Sequence, residues 1–155
     1  MCKNQVMKIT VLVGSLVFAF SAATAGAAEC EVTVDSTDQM RFDTEAISIP
    51  SSCESFTVNL THSGNLPKNA MGHNWVLTEK DNIQGVVQDG MSAGLENQYV
   101  KPGDERVLAH TDVIGGGEST SVTFKVDELD AAKEYSFICS FPGHYALMQG
   151  SVAVE

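Results

Sequence analysis

Near the C-terminus, Cys139-Ser140-Phe141-Pro142-Gly143-His144-Tyr145-Ala146-Leu147-Met148 place a thiol, an imidazole and a thioether on one short stretch, spaced Cys-x4-His-x3-Met. Thiolate and thioether are soft donors, and with imidazole they suit copper better than magnesium, calcium or manganese. A trigonal copper site made of two imidazoles and a thiolate, with a weak axial methionine, needs one more histidine. The best candidate is His73, in Met71-Gly72-His73-Asn74-Trp75. Each residue has an ordinary alternative: Cys139 as a structural cysteine or a histidine-paired nucleophile, His144 as a loop histidine, Met148 as core filler. Those alternatives leave the meeting of three donor types within ten residues a coincidence.

The surrounding pattern is that of strands. Tyr135, Phe137 and Cys139 share one parity, so on a strand the sulfur points the same way as two core aromatics. Pro142-Gly143 then marks a turn that can swing His144 back towards the sulfur. His73 shares parity with Trp75 and Leu77, facing the core, where an unpaired imidazole is costly. Alternating runs are also read at 32–34, 47–49, 56–61, 106–110, 120–126 and 150–154, separated by turn residues. They predict two packed antiparallel sheets, an all-β Greek-key sandwich. One segment, 81–94, spaces Ile83, Val86, Val87 and Met91 more nearly as a helix, although Gly85 and Gly90 weaken it. His62 shares parity with Phe56, Val58 and Leu60 and reads as a buried non-ligand imidazole, while His110 ends a strand at the surface. Gly115-Gly116-Gly117 is a turn, because neither Lys-Ser/Thr nor a strand-to-helix context follows it.

The N-terminus reads as a signal peptide: Lys3 and Lys8 precede an apolar run from Ile9 to Phe20 and the small residues Ala25-Gly26-Ala27. Residues 1–27 are expected to be removed, leaving 28–155 as one domain of sufficient size for a core. Loss of the two lysines takes the formal charge from −11 to −13. That acidity argues against nucleic acid, which is held through lysine and arginine contacts to phosphate, and against anionic membrane surfaces. No later segment is a membrane-anchor candidate. The expected compartment is the periplasm.

Asn65-Leu66-Pro67-Lys68-Asn69-Ala70-Met71-Gly72-His73-Asn74-Trp75-Val76-Leu77, together with Cys139 to His144, resembles the azurins, bacterial type 1 blue-copper proteins of cupredoxin fold. The likeness runs from about Ala28 to the C-terminus and includes Asp89-Gly90-Met91 and the Pro102-Gly103-Asp104 turn. It implies one copper ion held by His73, Cys139 and His144, with Met148 and the backbone carbonyl of Gly72 as weak axial donors. It also implies that Asn74 and Ser140 support the ligands and that segment 81–94 is a short helical flap. Met40, Leu66, Ala70, Met71, Met91, Phe141 and Leu147 are expected to form an apolar docking patch around the histidine edge. Trp75 is expected in the core rather than on an electron path.

The resemblance implies a one-electron carrier cycling between Cu(I) and Cu(II), working as a monomer in transient complexes with a c-type cytochrome or a periplasmic reductase. It is not expected to be an enzyme, because copper oxidases and nitrite reductases need a second copper centre and the chain has no further histidine cluster. Copper storage or delivery is the alternative that the same donors allow. With Cys2 in the signal peptide, an odd three cysteines remain. The simplest arrangement is a disulfide between Cys30 and Cys53 with Cys139 kept as a metal thiolate. The chain is more acidic than many azurins, and Ala70 is small for an apolar rim position.

Overall fold

The computed structural model describes residues 29–155, and the segment read as a signal peptide lies outside them. Among the described residues nine strands form two sheets packed face to face. They are β1 (Glu31–Thr37), β2 (Arg41–Phe42), β3 (Ala46–Ile49), β4 (Ser55–His62), β5 (Val76–Glu79), β6 (Val107–His110), β7 (Ser119–Lys125), β8 (Tyr135–Ile138) and β9 (Gln149–Val154). One sheet has the order β2-β1-β4-β7 and the other β3-β9-β8-β5-β6. The sandwich expected from alternation is present: β4 carries Phe56, Val58, Leu60 and His62 inward while its intervening residues are only half-buried or exposed.

The sheets are mixed rather than purely antiparallel. β1 runs parallel to β4, with Val32 opposite Val58 and Val34 opposite Leu60, and β3 runs parallel to β9. Alternation reports which face is buried and carries no information on a neighbour's direction. Parallel neighbours need a crossover connection, and here β2 and β3 supply one, taking the chain from the first sheet to the second between β1 and β4.

The inter-sheet core is built on Trp75, which is fully buried and stacked between Phe137 at 5.8 Å and Phe124 at 6.2 Å. Its indole Nε1 has no hydrogen-bond partner among the described residues, a cost of about 1–3 kcal/mol that the surrounding apolar contacts offset. At one edge the Cys30–Cys53 disulfide closes a loop of sequence separation 23, tying the start of β1 to the segment before β4. Replacing both cysteines by alanine is expected to lower unfolding free energy by about 3 kcal/mol in the chain-entropy account. Urea unfolding of the metal-free protein checks this.

The flap is α2 (Ile83–Ala93), lying on the outer face of the second sheet, where Val86 and Val87 pack with Val76, Val100 and Ile138. Its cover explains why β8 is buried at all four residues instead of alternating. The two glycines that weaken the helix both sit at close approaches, the one at Gly90 to main chain. A Cβ on Gly85 would overlap the Arg106 guanidinium, and one on Gly90 the Tyr99 carbonyl. Arg106 ties the flap down, donating from Nη2 to Asp89 and to Asp104 at 2.6 Å each. Hydrogen bonds from Lys101 first and Arg106 second lower the pKa of Asp89, and those from Arg106 lower that of Asp104.

Candidate metal centre

Cys139 sits one residue beyond β8, and the chain then winds back on itself. The His144 amide donates to the Phe141 carbonyl at 3.0 Å, the Met148 amide to the His144 carbonyl at 2.9 Å, and the Cys139 amide to the Met148 carbonyl at 2.9 Å. The Pro142-Gly143 turn uses a positive φ of 84° at Gly143, which glycine adopts without steric cost. His73 comes from the other segment, after the short helix α1 (Lys68–Met71), and is paired antiparallel with Ile114. The strand read from His73 becomes regular only at Val76.

These segments bring three donors together. Cys139 Sγ lies 3.8 Å from His73 Nδ1 and 3.7 Å from His144 Nδ1, and the two imidazole nitrogens are 3.2 Å apart. A point equidistant from the three corners is about 2.1 Å from each, within the span of roughly 2.0–2.3 Å for first-row metal bonds to nitrogen and sulfur. His73 Nε2–H donates to the Thr37 carbonyl at 2.9 Å, which leaves the Nδ1 lone pair facing the cluster. A soft thiol and two imidazoles converge here, so the donor set and spacing fit a single copper ion.

The site is enclosed: His73, Cys139 and Met148 are fully buried and His144 is 4% exposed. Burial pushes the Cys139 thiol up to about 12, opposed by hydrogen bonds from the backbones of Asn74 and Phe141. Burial likewise draws His73 down to about 4, against the opposing bond to Thr37, and lowers His144. In the metal-free protein at neutral pH the thiol is therefore protonated and both imidazoles are neutral. Loading with Cu(II) near pH 7.5 is expected to release about one proton per ion, measurable by calorimetry in buffers of different ionisation enthalpy. Release of two or more would contradict these protonation states. The His73 shift also has a sign for stability. Because the folded state resists protonation, the metal-free protein keeps this contribution above about pH 6.5 and loses it as pH falls towards about 4.

Asn74 joins the two donor segments. Its Oδ1 accepts from the Ser140 amide at 2.9 Å, and its Nδ2 donates to Ser140 Oγ and to the Gln98 carbonyl, each at 2.8 Å. The side chains expected to support the ligands thus bond each other, while the groups directed at the sulfur are main-chain amides of Asn74 and Phe141. Side-chain patterns do not encode main-chain donors, so the sequence did not point to these amides. Gly72 is buried with no room for a side chain, since a Cβ would crowd Lys68 and Val113. His62 is buried as read. Its Nδ1 accepts from the Gly64 amide, its Nε2–H donates to the Met71 carbonyl, and its ring stacks on His73 at 4.6 Å. With both nitrogens engaged it serves as backing to His73. His110 is exposed, as expected.

Of the seven apolar residues read as a docking patch, Leu66, Ala70, Met91 and Leu147 are exposed, with Leu147 the most so at 66%, and Met40 and Met71 are half-buried. Phe141 departs from that reading. It is buried in the main core, stacked on His144 at 4.6 Å and edge-on to Tyr99 at 5.0 Å. A loop position suggested exposure, but the fold-back of the loop onto the sulfur turns the ring inward. Met40 and Leu147 line one surface concavity together with Phe42 and Glu45.

Comparison with known proteins agrees with this geometry. The family model described as copper binding proteins, plastocyanin/azurin family, matches residues 28–155. The azurin of Pseudomonas fluorescens biotype C is 61% identical over 128 residues, 83% of this chain and all of that protein. That of Bordetella pertussis is 58% identical over 142 residues, 92% of this chain and 95% of the relative. Among solved structures, the azurin Az-iso2 of Methylomonas sp. strain J superposes with a TM-score of 0.80 at 49% identity, covering 83% of this chain and 99% of that one. With the sandwich, the buried thiol and two imidazoles facing one point, and these likenesses, the chain belongs to the plastocyanin/azurin family of copper-binding proteins.

Proposed function

We propose that the chain is a periplasmic one-electron carrier with a type 1 copper centre held by His73, Cys139 and His144. Met148 and the Gly72 carbonyl would complete the donor set as weaker ligands. Bound there, copper supplies a single-electron couple between Cu(I) and Cu(II). The observation that carries the reading is the preformed, buried triangle of donors with edges of 3.2–3.8 Å. A cage already in place needs little rearrangement between oxidation states.

The residues divide the work. The Cys139 thiolate gives electron density, and the amides of Asn74 and Phe141 draw charge from its sulfur, which raises the potential. His73 is fixed in tautomer and angle by Thr37 and His62. His144 is the only one of the four side-chain donors with any exposure, so a partner would approach at its edge, over Leu66, Ala70 and Leu147. The buried donors leave no open face for a substrate, which favours a carrier over an enzyme. Residues 1–27 are assigned as the export signal and 28–155 as the working domain. Candidate partners are a c-type cytochrome or a periplasmic reductase.

Stopped-flow mixing of the Cu(I) form with an oxidised c-type cytochrome tests this. Fast reduction of the cytochrome with copper retained is expected. Copper passing to a chelator or apo-acceptor faster than any electron exchange would favour storage or delivery instead.

A further inference from the structure

Two consecutive residues at the end of the flap segment, Gln98 and Tyr99, hold left-handed backbone angles, with φ of 58° and 53°. For residues with a Cβ this region costs about 1–2 kcal/mol each, and paired outliers point to something the surrounding structure requires. The flap enters this turn through the helical turn Leu95–Asn97, and the Tyr99 amide is held by the Gly94 carbonyl at 2.9 Å.

The turn reaches all three donors. The Gln98 carbonyl accepts from Asn74 Nδ2 at 2.8 Å, and Asn74 in turn holds the Ser140 amide next to Cys139. Gln98 Oε1 accepts from the Val113 amide at 2.7 Å, and Val113 precedes Ile114, the backbone partner of His73. The Tyr99 ring stands edge-on to Phe141, which also stacks on the His144 imidazole. An extended backbone at Gln98 and Tyr99 would turn the carbonyl and the ring away from these partners. The whole turn is anchored from behind, because the Tyr99 carbonyl sits against Gly90 of α2.

We propose that Gln98 and Tyr99 are positioning residues of the metal centre, bracing the segments of Cys139, His73 and His144 from the flap side. This rests on the assignment of those three side chains as the copper ligands. In this account the flap is a clamp on the site as well as a cover on the sheet.

The test uses Gln98→Ala and Tyr99→Ala, their conservative counterparts Gln98→Glu and Tyr99→Phe, and Val126→Ala as a destabilised control at another part of the core. Copper release to a strong chelator is followed in the loaded proteins, and amide hydrogen exchange at Ser140 and Val113 in the metal-free ones. The two alanine variants are expected to release copper about tenfold faster, and Tyr99→Ala, which removes the ring against Phe141, to exchange the neighbouring Ser140 amide faster. The Val113 amide should also exchange faster in Gln98→Ala. The glutamate and phenylalanine variants keep the acceptor and the ring and should restore wild-type values. Copper release no faster than in Val126→Ala, with Ser140 exchange in Tyr99→Ala and Val113 exchange in Gln98→Ala also no faster than there, would overturn the proposal. If the wild-type protein gives no thiolate–copper absorption, the ligand assignment has failed instead, and unchanged Ser140 and Val113 exchange would then overturn the bracing separately.

Discussion

Cys139→Ser is expected to abolish the intense thiolate-to-copper absorption and to weaken copper binding by several orders of magnitude while leaving the sandwich folded. The serine hydroxyl is a hard donor and titrates far above the thiol, so it does not become an anion in a fully buried position. The fold should tolerate the change, because the cysteine amide, bonded to the Met148 carbonyl, is retained and the side chain is nearly isosteric. Chelator competition gives the affinity, and far-ultraviolet circular dichroism reports the fold. A variant that kept wild-type affinity and absorption would show that the sulfur is not the ligand.

Asn74→Ala is the second large effect. It removes three hydrogen bonds at once and leaves the Ser140 amide, the Ser140 hydroxyl and the Gln98 carbonyl without their partner. With a buried orphan costing about 1–3 kcal/mol, a loss of about 4 kcal/mol in unfolding free energy is expected for the metal-free protein. Copper affinity should fall by a further factor of about 10–100, the usual consequence of losing an outer partner of a metal ligand. A loss below about 1 kcal/mol by chemical denaturation would mean that water or a neighbour replaces the amide, and that the two donor segments are held together by other contacts.

The parts of this molecule legible in sequence are those written in side-chain type. Cys139 and His144 were readable from their spacing, and β4 from its strict alternation. Helix α2 was readable from its apolar spacing despite Gly85 and Gly90, because those glycines answer to Arg106 and Tyr99 rather than to helix propensity. What is written in backbone was hidden. The parallel pairing of β1 with β4 leaves no mark on alternation. The amides aimed at the Cys139 sulfur belong to residues of any type. The inward turn of Phe141 depends on a fold-back whose other wall, Tyr99, is more than forty residues away in the chain. The left-handed pair Gln98–Tyr99 carries no glycine to announce it. Sequence chemistry thus located the donors, whereas the frame that holds them became visible only once the segments were folded together.

The most direct test of a redox copper centre at His73, Cys139 and His144 is the visible spectrum of the protein during titration with Cu(II), followed by ascorbate. An intense blue absorption that saturates at one copper per chain, bleaches with ascorbate and returns on reoxidation is the predicted result. A pale, weak absorption that ascorbate leaves unchanged, or saturation at another stoichiometry, would contradict it.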